Sequence, residues 1–161
     1  MTESQLISYF PIIFPFFFVM LWLLVTGLLW SVAGWNSLQE AFPDRDEKAS
    51  ATLIWQSGAI GRSLMIYRHV SYGRCLNFGV CKSGLRVSLM WIFRGLWCKP
   101  FLIPWSRISV EDVRFLGFLR YKRLSFLGFD GSSVFLTARS FDRLAKRSGG
   151  VILPTAKGSA A

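Results

Sequence analysis

Charge is missing from the N-terminal part of this sequence: between Glu3 and Glu40 there is no Asp, Glu, Lys, Arg or His. Acids are missing a second time, with no Asp or Glu from Ala49 to Val110. Histidine is reduced to His69, and the three cysteines, Cys75, Cys81 and Cys98, form no CxxC pair. A lone His without paired thiols argues against a metal site, and an odd cysteine count argues against a disulfide framework. There is no Gly-rich phosphate loop and no nucleophile elbow. These absences lead to the expectation of a protein that is not an enzyme and holds no cofactor and no metal.

What fills the uncharged segment is apolar. From Phe10 to Val32 nearly every residue is aliphatic or aromatic. As a helix this run reaches roughly 34 Å, enough for a hydrocarbon core of about 30 Å. A buried core helix is one alternative. A cleavable signal peptide is another, since Ser31-Val32-Ala33 offers small residues for a peptidase. Two features oppose cleavage: residues 1–9 carry no Lys or Arg, and the run is about twice the length of an ordinary signal-peptide apolar region. The reading is therefore a single-pass anchor over 10–34 after a short tail, 1–9. Every Lys and Arg follows the span, starting with Arg45 and Lys48, so the N-terminus is expected outside and the C-terminal domain in the cytoplasm, at the inner (plasma) membrane. Pro11 and Pro15 are expected in the first turn of the helix, where a missing amide donor matters least.

Beyond the span, 35–62 reads as a helix extension and linker, ended by Pro43 and the charged cluster Asp44-Arg45-Asp46-Glu47-Lys48. Residues 63–148 are punctuated every eight to twelve positions and rich in β-branched and aromatic residues, a pattern of many short strands. The expected strands are 63–70, 75–80, 85–89, 101–103, 107–115, 123–129 and 133–138. Turns are expected at Ser71-Tyr72-Gly73, at Lys82-Ser83-Gly84 and, as a tight hairpin, at Asp130-Gly131, with a bulge near Glu111-Asp112. Leu85-Arg86-Val87-Ser88-Leu89 alternates most cleanly. Ser140 is expected to cap a short helix over 141–147 whose Phe141, Leu144 and Ala145 plug the β-layer. A disordered tail is expected over 149–161.

The runs Gly84-Leu85-Arg86-Val87-Ser88, Phe93-Arg94 and Pro100 to Ile108 resemble small membrane-anchored bacterial proteins with a PH-like or GRAM-like domain. The resemblance implies seven antiparallel strands in a four-plus-three barrel or sandwich, capped by a C-terminal helix. It carries over no catalytic residue.

Function then rests on surface chemistry. The acid-free stretch carries Arg62, Arg68, Arg74, Lys82, Arg86, Arg94, Lys99 and Arg107 within a chain of net charge +10. Such a domain is attracted to anionic headgroups by about 1 kcal/mol per cation near the surface. These cations also fit a solvated outer face. The segment from Trp91 to Pro100 is too apolar for a loop facing water, so Phe93, Leu96 and Trp97, with Trp91 beside them, are expected either to enter the headgroup layer, Arg94 and Lys99 meeting phosphates, or to meet another membrane-protein subunit. A longer third strand packed in the core is the plainer reading. No nucleic-acid partner is expected, because no nucleic-acid motif is present. Cys75 and Cys81 could form a redox pair only if their strand were straight. Glu111 and Asp112 are expected to pair with Arg107 or Arg114.

Overall fold

The computed structural model describes residues 3–63, 68–94, 97–115 and 119–151, with backbone alone at 3–10, 63 and 68. Helix α1 runs from Glu3 to Ala33. Its stretch Pro11–Ala33 is long and apolar enough to cross a membrane, and the side chains from Pro11 to Met20 are all exposed. Because the helix begins seven residues before Phe10, Pro11 and Pro15 lie inside it and not in its first turn. It does not continue into the next segment as expected. Gly34 adopts φ +69°, which ends α1, and a new short helix, α2 (Trp35–Ala41), follows.

Seven strands then form one antiparallel sheet in the order β4-β3-β2-β1-β7-β6-β5. The strands are β1 (Ala51–Ser63), β2 (Arg68–Val80), β3 (Gly84–Leu89), β4 (Phe101–Pro104), β5 (Ile108–Phe115), β6 (Leu119–Phe126) and β7 (Phe129–Thr137). Sequence reading and structure part company at β1 and β2. The first strand starts at Ala51, inside the expected linker, and Ser71-Tyr72-Gly73 lies within β2 and not in a turn. Both strands are thirteen residues long and carry bulges, with Trp55 at φ 60° and Arg74 at φ 56°. Those bulges and Gly58, Gly61 and Gly73 break the two-residue alternation by which a strand is recognised.

The β6–β7 hairpin turns at Leu127-Gly128, where Gly128 has φ +78°, and Asp130-Gly131 falls inside β7. Gly131 is small for another reason: the Phe129 ring occupies the space a Cβ would need. No bulge interrupts β5 at Glu111-Asp112, where the register with β6 is continuous.

The sheet is open. Its β4 edge is covered, because Pro43 bridges Phe101 and the Leu102 amide donates to the Phe42 carbonyl at 3.1 Å. This shields main-chain groups that would otherwise invite another strand. One face of the sheet carries the core, including Ile60, Leu76, Phe78, Leu85, Val87 and Leu136. Helix α4 (Ala138–Arg147) seals it with Phe141 and Leu144, as expected, although its cap is Thr137, whose hydroxyl accepts from the Ser140 amide at 3.3 Å. A second plug comes from the segment read as a linker: Trp35, Leu38 and Phe42 are buried in the same core.

Candidate functional site

The most distinctive geometry lies where α1 meets the sheet. An isolated apolar helix would show all its sides, but Thr26 and Ala33 are buried and Trp30 is half-buried against the domain. The Trp97 ring lies 3.8 Å from where a Cβ on Gly27 would stand, which places the indole against this turn of the helix. Over the eight residues Thr26–Ala33 the β-domain thus flanks the helix, a rise of about 12 Å.

Between the two bodies is a cavity of about 150 Å³, bordered by Thr26, Leu29 and Trp30 on one side and by Tyr72, Cys75 and Phe93, among others, on the other. The Trp30 indole N–H is buried with no hydrogen-bond partner among the described residues. The Thr26 hydroxyl is occupied, donating to the Trp22 and Leu23 carbonyls at 2.8 and 3.0 Å.

The apolar segment after β3 does not extend that strand into the core. It forms the short helix α3 (Trp91–Arg94), with Trp91 82% exposed and Ile92, Phe93 and Arg94 also exposed, while Trp97 is half-buried and Cys98 buried. Leu96 lies outside the described residues. On the outer face, α3 and the β1 bulge frame a groove of about 510 Å³ lined by Ile54, Trp55, Trp91 and Arg94. The Trp55 amide donates to Asn77 Oδ1 at 3.1 Å, which holds the bulge and turns the indole outward. Ile54 and Trp55 were not singled out by sequence, since only the bulge brings both to the surface.

The structure separates the eight cations. Arg62 borders a hollow with Ser31, Val32 and Gly34 at the end of α1. Arg74 and Arg94 are exposed next to the cavity-lining residues Cys75 and Phe93. Lys99 is exposed beside α2, its amide donating to Gln39 Oε1 at 3.1 Å and its carbonyl accepting from Trp35 Nε1 at 2.8 Å. Arg107 is elsewhere: it lies in the 3₁₀ turn Trp105–Arg107 beside the β2–β3 turn, at the other end of β3 from Leu89. The backbone of Arg68 opens β2, and its side chain is not described. Arg86 is neutralised by Asp44 and by Asp46 at 3.3 Å. The acidic cluster read as a boundary is therefore strapped onto β3, where Glu47 also accepts from the Lys82 amide at 2.7 Å. Glu111 and Asp112 pair not with Arg107 or Arg114 but across the hairpin, with Arg123 at 3.8 Å and Lys122 at 2.5 Å.

Cys75 lies within β2 and Cys81 just beyond its end: Cys75 lines the cavity with Cys98, whereas Cys81 directs its thiol to the Glu47 carbonyl at 3.7 Å. Burial raises all three thiols, Cys98 to about 11 despite the opposing pull of Arg94. A raised thiol favours the folded state fully below its unfolded value of about 9, and that advantage is lost as pH climbs toward 11. The thermal midpoint in detergent is expected to fall over this window, and to fall less in Cys98→Ala. Equal slopes for the two proteins would dismiss this account.

No model of a known protein family matches the chain, and no curated protein matches it.

Proposed function

We propose that this chain is a non-catalytic, membrane-anchored module of PH-like type, acting as an accessory or scaffold by docking on the anionic membrane surface or on a membrane-protein partner. Helix α1 crosses the inner membrane and leaves the β-domain on the cytoplasmic side, where positive charge collects. Seven antiparallel strands followed by α4 support this type, although they form one open sheet and not the closed barrel or sandwich that the resemblance implies. Raised thiol pKa values count against a thiolate nucleophile.

The observation that carries this reading is the flanking of the last turns of α1 by the domain. The apolar stretch Pro11–Ala33 has 23 residues and rises about 35 Å, a little beyond the hydrocarbon thickness of about 30 Å, so the flanked turns at its C-terminal end lie where the helix leaves the hydrocarbon. Docking therefore sets α3 in the headgroup layer, with Trp91, Ile92 and Phe93 facing lipid and Arg62, Arg74 and Arg94 meeting phosphates. Three such cations contribute about 3 kcal/mol. Indoles suit this layer because they are apolar bodies with one polar tip.

The reading is tested with single labels in a cysteine-free background, reconstituted in bilayers holding a headgroup-level quencher. A fluorophore at Ile92→Cys is expected to be strongly quenched. One at Lys82→Cys, at the other end of β3 and roughly 16 Å away along the strand, is expected to be quenched little. Equal quenching at both positions, or none at 92, would remove the docking reading.

A further inference from the structure

We infer that the cavity between α1 and β2 receives one acyl chain of a bilayer phospholipid, whose ester carbonyl accepts a hydrogen bond from the Trp30 indole N–H. This rests on the anchoring proposed above and adds a specific site to it.

Three observations meet at this place. The first is the orphaned donor. A buried N–H without a partner costs roughly 1–3 kcal/mol, so an acceptor arriving from outside the chain is favoured. The Thr26 hydroxyl is spoken for by its own helix, and the Cys75 thiol donates to the Gly73 carbonyl at 3.0 Å. A trapped water is a poor substitute, because an ordered buried water needs two to four polar partners and this lining is mainly apolar.

The second is size and character. Apolar cavities of about 150 Å³ stay dry and accept a guest the size of benzene. A short length of acyl chain has that bulk and that chemistry. Leu29 and Phe93, both exposed, stand at the rim on the two bodies, so a chain can enter sideways from lipid without opening the sheet.

The third is depth. Trp30 lies three residues before the end of α1, about 4.5 Å along the axis, so it falls near the boundary between hydrocarbon and headgroups. Ester carbonyls lie at that boundary, with their chains running inward beside the helix. A headgroup phosphate would sit farther out, beside Arg62 and the end of the helix. The ligand class is thus a diacyl lipid held by one ester and one tail, with the headgroup left to the surface arginines.

The test uses the full-length chain, extracted from membranes in mild detergent and examined by native mass spectrometry. One phospholipid adduct per chain is expected. Trp30→Phe keeps the ring but removes the donor, and should reduce occupancy roughly tenfold. Cys75→Met narrows the cavity from the domain side and should abolish the adduct while leaving the melting temperature within a few degrees. No adduct on the wild type, or a ladder of lipids indifferent to both substitutions, would overturn the site. Alkaline carbonate extraction separates the two levels: a chain that stays with the membrane but carries no adduct loses only the cavity, whereas a chain released by carbonate loses the anchor as well.

Discussion

A fragment starting at residue 49 is expected to stay unfolded, although it contains all seven strands and α4. What it lacks is the second plug of the core. Trp35 is fully buried, meets the Phe101 ring edge-on at 5.1 Å and Tyr72 at 6.2 Å, and donates its indole N–H to the Lys99 carbonyl. Leu38 is equally buried, and Phe42 packs edge-on against Phe126 and Phe129. Losing a buried tryptophan of this kind costs about 3–5 kcal/mol. The fragment loses all three side chains, the cover on the β4 edge and the acids that neutralise Arg86, against a typical total stability of only about 5–15 kcal/mol. In the full chain, Trp35→Ala alone should lower the melting temperature in detergent by roughly 20 °C, at about 4–8 °C per kcal/mol for a domain of this size. A cooperative melt for the fragment, close to that of the intact protein, would show that the juxtamembrane segment is only a tether.

Gly84→Ala is expected to be nearly as damaging, through the backbone and not through a lost contact. A Cβ at this position would collide with the Ile103 carbonyl oxygen and stand 2.7 Å from the Ile103 carbonyl carbon and 3.0 Å from Pro104 Cα. No side-chain rotation relieves a collision with main chain, so β4 must move off β3. Overpacking of this sort costs roughly 1–3 kcal/mol or more, and here the strand displaced carries Phe101 against Trp35. Gly128→Ala is the comparison. It has φ +78° and open space around it, so only the left-handed penalty of about 1–2 kcal/mol applies. A smaller loss of melting temperature for Gly84→Ala than for Gly128→Ala would show that β3 and β4 are not held as closely as described.

The candidate site was partly legible from residues alone. The excess of large apolar groups from Trp91 to Trp97 marked a segment that something must cover, and α3 does present Trp91, Ile92 and Phe93 at the surface, with Phe93 beside α1. The arginines were less transparent. Arg86 and Arg94 look equivalent in an acid-free stretch, yet Arg86 is held by acids some forty residues earlier, while Arg94 is exposed. A local window contains no trace of such a pairing. Trp55 escaped notice because a bulge reverses which face a strand residue takes, and its positive φ depends on the partner Asn77 in β2.

The sequence by itself determined the apolar helix, the β-rich character that follows it, the alternating strand β3 and the plug of Phe141 and Leu144, because each is written in composition or in a local period of two or about 3.6 residues. Only the tertiary structure decided where that helix meets the domain. Apolar residues on a helix leaving lipid and on a helix entering a core look the same, and no charged residue separates Trp30 from Trp35 and Leu38 in sequence. The left-handed Gly34, fitted against Ser132 from the far end of the chain, separates them into an anchor and a core plug. That separation depends on contacts between residues about a hundred positions apart, which no local pattern encodes.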